Sequence, residues 1–425
     1  MSTGALALLL FGLFVILLVS KVPVSFCLGI ASMVCLVILG YPLTVVGQKI
    51  FTALNSFSIM AIPLFILAGN IMSEGGISKR LIEFCEALVG NIQGGLAIVA
   101  ILACAFFAAL SGSGPATVVA IGSMMYPEMV KRGYPNYQMA GLVSVAGGLG
   151  PIIPPSIIMV VYCTITQENI ASLFSAGFLV GGMLVLTMCV VAVVMSKRHH
   201  WPVTKEKFSG KRVLVSFRHS ILALLMPVII LGGIYSGLFT ATEAGAVSVI
   251  YSVVVALFVY YTLTWKDLIS IFKTSAIACS VILFIMGTST VFSWLFTVSG
   301  ISGWIVETIT TAGWGYYPVL LLITVILLIF GFFLEGIATV TLLIPLFLPV
   351  ATAVGIDTLH LGMIVTITNV IGCMTPPVAN NIFACSTFTG LQMGEISKGE
   401  IPYLGCFMAV LLVVVFCPQM ITMFA

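Results

Sequence analysis

The chain has 425 residues, of which 61% are hydrophobic and only 7% are charged. Soluble globular domains carry about a quarter charged residues, so this composition excludes a water-soluble domain and requires lipid as solvent. The net charge of +3 carries no information about nucleic acid, which is not expected as a partner. The eleven Cys are scattered through apolar segments without a Cys-x-x-Cys pair, so they read as small buried hydrophobes rather than a redox or transition-metal site.

In chain order, apolar runs predict helices over 5–20, 24–40 and 56–72. The first has no basic region ahead of it and no small-residue cleavage site, so it reads as a retained helix rather than a signal peptide. Residues 78–91 place Leu81, Ile82, Cys85, Leu88 and Val89 against Lys79, Arg80, Glu83 and Glu86, the pattern of a helix lying in the membrane interface. Two apolar arms, 95–110 and 117–129, flank a Ser-Gly-Ser-Gly-Pro tip. An apolar segment over 140–165 is interrupted by Gly147, Gly148, Gly150, Pro151, Pro154 and Pro155, and a helix over 173–195 follows. The one long polar stretch, 196–220, carries seven cations including Lys205 and Lys207, and reads as a linker between halves 1–195 and 221–425. The second half predicts helices over 221–238 and 244–263, an interfacial piece over 265–273 and a helix over 275–296. A second interfacial piece over 300–311, arms 319–334 and 339–354 around Glu335-Gly336, a broken helix over 361–387 and a last helix over 403–420 complete it.

Adding 222 to the number of each residue from 114 to 155 aligns the first tip and break with the second without a gap. Gly114, Ala116, Thr117, Val118, Pro127, Gly133, Val143, Gly150, Pro154 and Pro155 fall on identical residues. Six of these are Gly or Pro. Chance identities between apolar segments would mostly be Leu, Val, Ile or Ala, so shared helix breakers imply a duplicated backbone path. Placing the N-terminus outside puts every Lys and Arg except Lys49 in the cytoplasm, fifteen of sixteen. Each half then has five spans, an odd number, so the second is inserted upside down. The expected fold is an all-α integral membrane protein: an inverted-repeat, elevator-type ion transporter with two re-entrant helical hairpins and two broken helices.

A helix broken inside lipid exposes carbonyls that can ligate Na⁺ and N–H groups that favour an anion. Ser111, Gly112, Ser113, Gly114, Thr117, Gly150, Pro154 and Ser156 are the expected Na⁺ site of the first half. Glu335, Gly336, Thr339, Thr341, Gly372, Thr375 and Pro376 are expected to form that of the second. Ser113, Pro155, Asn369, Pro377, Asn380 and Asn381 are the expected substrate contacts. Na⁺ is the only metal and no organic cofactor is expected. For any single Ser or Thr, helix packing is the competing reading. Glu335 is the acidic residue expected at membrane depth, either as a functional carboxylate or as the N-terminal cap of the second hairpin arm, the other twelve sitting near predicted helix ends or loops; Glu243 is expected to cap a helix. No His-Glu-x-x-His, phosphate loop or paired-Asp constellation supports catalysis.

The residues Ser111 through Thr117, Gly150 through Ser156, Thr242-Glu243-Ala244, Gly355-Ile356-Asp357, and Gly372 with Thr375-Pro376-Pro377 resemble the large membrane subunit of tripartite ATP-independent periplasmic (TRAP) transporters. The resemblance covers almost the whole chain. It implies a bacterial inner-membrane, Na⁺-driven importer of carboxylates that uses an elevator movement. It also implies two partners, a small four-helix membrane subunit on a separate polypeptide and a soluble periplasmic substrate-binding protein, besides membrane lipids. Glu335 stands where the family often has Asp, and Val378-Ala379-Asn380 departs from its usual sequence. Sialic acid (N-acetylneuraminate), other sugar acids and C4-dicarboxylates are the substrates of similar proteins; the polar Asn380-Asn381 pair leans toward sialic acid. The rival within the class is a stand-alone Na⁺/dicarboxylate symporter without a binding protein. A membrane enzyme would need a charged cluster at one face, and a channel would pass currents above carrier turnover.

Overall fold

The computed structural model describes residues 3–203 and 209–425. Lys205 and Lys207 of the expected linker lie outside the described residues. The described chain is built of helices, which satisfy their own backbone hydrogen bonds and so suit a bilayer. The first half contains α1 (Thr3–Val19), α2 (Val24–Ile38), α3 (Thr44–Leu54), α4 (Ala61–Glu74), α5 (Ile77–Val89), α6 (Gly95–Ser111), α7 (Gly114–Lys131), α8 (Asn136–Gly147), α9 (Ile157–Thr166) and α10 (Ile170–Arg198). The second contains α11 (Gly210–Tyr235), α12 (Ala241–Val254), α13 (Trp265–Val298), α14 (Ile301–Thr311), α15 (Tyr316–Gly331), α16 (Gly336–Ala353), α17 (Thr358–Cys373), α18 (Asn380–Thr389), α19 (Met393–Phe416) and the short α20 (Gln419–Thr422). Among the described residues seven helical segments are long and apolar enough to cross a membrane; the protein is multi-pass.

The duplication is visible in the backbone. α7 and α16 are both 18 residues long and start 222 positions apart. Gly133 (φ 90°) and Gly355 (φ 80°) end the two hairpins in the left-handed region, where Gly carries no Cβ penalty. Pro154–Pro155 and Pro376–Pro377, at matched positions, are both cis.

Four sequence expectations change. Residues 44–54 form a helix the apolar-run count passes over, because α3 is amphipathic with polar Gln48 and Lys49; it docks on α13, where a Cβ on Gly287 would sit 3.0 Å from Ile50. Residues 265–273 are not a separate interfacial piece. They are the first turns of the 34-residue α13, since no Gly or Pro interrupts the junction and Thr264 and Asp267 form a capping box at its start. The linker shrinks because α10 runs to Arg198, with Lys197 and Arg198 favourably placed at its C-terminus, and α11 starts at Gly210, where Ser209 accepts from Arg212 N. Finally, the last long helix starts at Met393 rather than near 403, under a Gln392–Glu395 capping box. That extension brings Glu400 inside a membrane helix, so Glu335 is not alone at depth. Glu243 does cap its helix, its carboxylate accepting from Thr240 N at 2.8 Å.

The two hairpins, α6–α7 and α15–α16, enter from opposite ends. α10, with 29 residues, is roughly 43 Å long. Beside its C-terminus lies the base of the first hairpin: Gln93 Nε2 donates to Ser196 Oγ (3.0 Å), Tyr134 Oη to Pro202 O (3.0 Å) and Trp201 Nε1 to Gln138 Oε1 (3.1 Å). Beside its N-terminus lies the base of the second: Thr358 hydrogen-bonds Glu168, Tyr162 Oη donates to Thr358 O (2.6 Å), and Gly362 packs on Leu173. α19 runs alongside, with Gly399 against Tyr137 near one base and Val414 O bonded to His360 Nε2 (2.8 Å) near the other. The repeats are therefore inverted, and the hairpin tips meet in the interior.

Gly141 and Gly399 allow α8 and α19 to touch backbone to backbone. A Cβ on Gly399 would stand 2.0 Å from Tyr137 O. Gly399→Ala is expected to lower thermal stability of the purified protein by about 1–3 kcal/mol, the overpacking range, whereas Gly394→Ala, which faces open space, leaves the melting temperature unchanged or slightly raised.

Candidate functional site

The first tip is held by contacts that only glycine permits. Gly112 caps α6 at φ 60°, and a Cβ there would stand 2.4 Å from Pro155 O. A Cβ on Gly150 would stand 2.5 Å from Ser113 O. Hairpin and break are thus pressed together, while the break closes its own turn through Gly150 N to Gly147 O (2.9 Å) and Ile153 N to Leu149 O (2.8 Å). The hydroxyls form a short relay. Thr117 Oγ1 donates to Ser113 O (2.7 Å) and lies 2.9 Å from Ser111 Oγ. With the Thr117 proton directed to Ser113 O, Ser111 donates to Thr117, and three oxygens stand together at the tip. Ser156 is placed differently. Its hydroxyl donates to Pro151 O (2.5 Å) and accepts from Met159 N (3.3 Å), so it spans the break and caps α9. Pro154 and Pro155 are buried within this turn.

The second tip repeats the plan with other side chains. A Cβ on Gly372 would stand 2.3 Å from Gly331 O, and Val378 N donates to Phe332 O (3.3 Å). Asn369, 1% exposed, donates its Nδ2 to Gly336 O (2.9 Å) and leaves its Oδ1 without a donor. Buried polar atoms are nearly always paired, so this oxygen is an acceptor with spare capacity beside the second tip. Thr339, Thr341 and Thr375 return their protons to the carbonyls of Glu335 (3.2 Å), Ile337 (2.9 Å) and Ile371 (2.8 Å), keeping lone pairs free. Pro376 and Pro377 are exposed, unlike their buried counterparts in the first break.

Both tips open on one cavity of about 230 Å³. It is lined by Ser111, Gly112, Ser113 and Gly114 from the first tip, Glu335 and Gly336 from the second, Pro151, Ile157 and Ile158 from the first break, and Cys373 and Asn380 from the second. Four helix N-termini, those of α7, α9, α16 and α18, reach it. Three of them, α7, α16 and α18, have no side chain bonded to their first-turn N–H groups. Uncapped N-termini attract negative charge. The exposed Glu335 carboxylate supplies the one acidic side chain of the lining.

Asn380 faces the cavity, but Asn381 does not. Asn381 is 0% exposed and donates Nδ2 to Ser144 O (3.1 Å) in the interior. Helix geometry turns adjacent residues about 100° apart, so only one of the pair can face a given space. Sequence reasoning passed over Gly69 and Asn70 of α4 and Ala278 of α13, which close the cavity from outside the repeat core. Gly69 seats the tip, 3.1 Å from its Cβ position to Ser111 Cα, and Asn70 Nδ2 donates to Ser275 Oγ (2.8 Å). The signal was present: Asn70 is a lone amide in an apolar helix.

An inverted pair of hairpins closing on broken helices defines a membrane-transporter fold. The crystal structure of the YdaH transporter of Alcanivorax borkumensis shares it, with a TM-score of 0.63 over 89% of each chain at 13% identity. Residues 11–420 match the family described as tripartite ATP-independent periplasmic transporter, DctM component. The chain is 41% identical to the C4-dicarboxylate TRAP transporter large permease protein DctM of Pseudomonas aeruginosa, covering 87% of this chain and 86% of that one. It is 37% identical to the isethionate TRAP transporter permease protein DctMQ of Oleidesulfovibrio alaskensis (98% and 66%) and 33% identical to the sialic acid TRAP transporter large permease protein SiaM of Vibrio cholerae (95% and 94%). The chain belongs to the DctM family of TRAP transporter permeases, which are transport proteins rather than enzymes.

Removing the Asn369 amide takes from Gly336 O its donor outside the helix and leaves only the helical one. Asn369→Ala is expected to speed hydrogen–deuterium exchange at 336–340 about two- to tenfold, since one buried hydrogen bond is worth about 0.5–1.5 kcal/mol, while exchange at 114–118 stays as in the parent protein.

Proposed function

We propose that this chain is the large membrane subunit of a Na⁺-coupled importer of a small carboxylate in a bacterial inner membrane. The observation that carries the reading is the meeting of four half-helix N-termini at one cavity beside the Ser111–Thr117–Ser113 oxygen cluster. The N-termini favour the carboxylate, and the oxygens, with Asn369 Oδ1 at the other tip, favour Na⁺. Each ion lowers the cost of the other. A carboxylate near Glu335 is repelled unless a cation intervenes, so substrate binds well only when Na⁺ is bound. Na⁺ is the coupling ion and no organic cofactor takes part.

The cavity volume favours a compact substrate. At about 230 Å³ it falls below the roughly 300–1,000 Å³ of drug-sized ligand sites, which suits a C4-dicarboxylate better than a nine-carbon sugar acid. The lean toward sialic acid rested on Asn380 with Asn381, and only Asn380 reaches the cavity. The permease names of the P. aeruginosa and V. cholerae relatives support a carboxylate of either kind.

The site lies between two packed units. The hairpins and broken helices, α6–α9 and α15–α18, form one face of the cavity, and α4 and α13 form the other. Sliding the first unit past the second would open the cavity to alternate sides without rebuilding it, which is an elevator movement. The N-terminus is periplasmic and the 196–220 stretch cytoplasmic, as the distribution of Lys and Arg demands. A small four-helix membrane subunit braces α1–α4, and a periplasmic binding protein delivers substrate; the fused name of the DctMQ relative supports the first partner.

Uptake into proteoliposomes tests the reading. A Na⁺ gradient should drive uptake of a C4-dicarboxylate, and K⁺ should not replace it. Uptake that needs no binding protein would instead support the stand-alone symporter, and equal uptake in K⁺ would end the Na⁺ assignment. Ser111→Ala should raise the Na⁺ concentration for half-maximal uptake about three- to tenfold, worth about 1 kcal/mol, with uptake at saturating Na⁺ largely retained because Ser113 O and Thr117 Oγ1 remain.

A further inference from the structure

Glu400 is a carboxylate 2% exposed in the interior of α19, and its Oε1 has no hydrogen-bond partner. An unpaired buried charge costs several kcal/mol or more, so a group in this position is neutralised in some way. No Lys, Arg or His among the described residues forms an ion pair with it. Lys398, two positions earlier, is exposed. The side chain that faces Glu400 is Ser144 of α8, whose fully buried hydroxyl can give it one hydrogen bond. Asn381 of α18 donates Nδ2 to the backbone carbonyl of Ser144, and its Oδ1 is also buried without a donor. The setting is enforced by backbone: a Cβ on Gly141 would stand 2.4 Å from Glu400 N.

We propose that Glu400 and Ser144 form a monovalent-cation station within the bundle, separate from the oxygens at the hairpin tips, in which the cation neutralises Glu400. A buried carboxylate oxygen without a donor, with a single hydroxyl beside it, is satisfied by a hard cation or an added proton, and not by a further side-chain acceptor. The station is wired to the tip. Asn381 bonds the carbonyl of Ser144, and a Cβ on Gly114 would stand 2.7 Å from Asn381 Oδ1, so a shift of Ser144 toward a cation changes the packing of the first residue of α7. It also lies on the way out. Gly399 and Gly141 set it between the tip and the base of the first hairpin, where Gln138 meets Trp201. As a coupling station it rests on the transport reading above; as a binding site it does not.

Proton and Na⁺ share this chemistry, and two titrations separate them. Tyr403 on α19 itself, one turn on and with a buried unpartnered hydroxyl, Cys385 on α18, Tyr137 on α8 and Cys189 on α10 are the titratable groups nearest in the packing; Lys197 and Arg198 of α10 and His360 and Cys373 of α17 complete those on the helices packed against α19. Thermal stability of the purified protein is measured against Na⁺ at fixed pH and ionic strength, and against pH in Na⁺-free buffer, for the parent, Glu400→Gln and Ser144→Ala. If Na⁺ occupies the station, Glu400→Gln reduces the Na⁺-induced stabilisation and Ser144→Ala raises the Na⁺ concentration needed at least threefold. If a proton does, Glu400→Gln flattens the pH profile and leaves the Na⁺ curve alone. Either result supports the station, also when Ser111→Ala has already weakened the tip site. Curves for both variants that superimpose on the parent in both titrations overturn it. If Glu400→Gln does not fold, the Ser144→Ala curves decide by the same criterion. Parent protein that shows a Glu400-dependent shift but no Na⁺-driven uptake would keep the station and remove the transport reading.

Discussion

A helix interrupted inside a bilayer must satisfy its freed backbone groups, and in this protein each break does so as a tight turn closed against the tip of a hairpin. Everything else in the structure depends on that contact. It requires Gly112 against Pro155, Gly150 against Ser113 and Gly372 against Gly331, at distances where a Cβ would stand 2.3–2.5 Å from a carbonyl oxygen. At membrane depth no water is at hand to take over, and each unpaired backbone group would cost several kcal/mol. The duplicated glycines and prolines are the sequence record of this constraint, and they bring the polar atoms of both repeats to one cavity.

That is why the core of the fold was legible from the chain alone. Shared breakers at a spacing of 222 marked both hairpins and both breaks, and the tips they marked line the cavity. What surrounds the core was less legible for a physical reason. Helix ends rich in Lys and Arg look like a linker by polarity but continue as helix, as at Arg198 and Gly210. α3 carries too few apolar residues in sequence to register as a run, although Ile50 fits Gly287. Glu400 was assigned to a loop because the charged start of α19 hides the beginning of a helix. Side-chain direction was not legible at all. Asn380 and Asn381 look alike in sequence, and only the rotation between adjacent helix positions sends one to the cavity and the other to Ser144.

The two repeats use one backbone plan and different polar side chains. The first tip relies on hydroxyls, Ser111 and Thr117, and its break is buried and capped by Ser156. The second relies on Asn369 and on Glu335, and its Pro376-Pro377 turn is exposed. A symmetric backbone thus carries an asymmetric pair of tips. The α4 and α13 side of the cavity contributes little polarity beyond Asn70, so its polar groups come almost entirely from the repeat core.

The claim that hairpins and broken helices act as one unit is tested most directly by distances between spin labels. One pair spans α4 and α16, another spans α7 and α18 within the core, each measured with and without Na⁺ and substrate. The account predicts that the α4–α16 distance takes two discrete values whose populations shift with ligand, while the α7–α18 distance stays single. A fixed α4–α16 distance with a changing α7–α18 distance would contradict it and leave local opening of a hairpin as the mechanism.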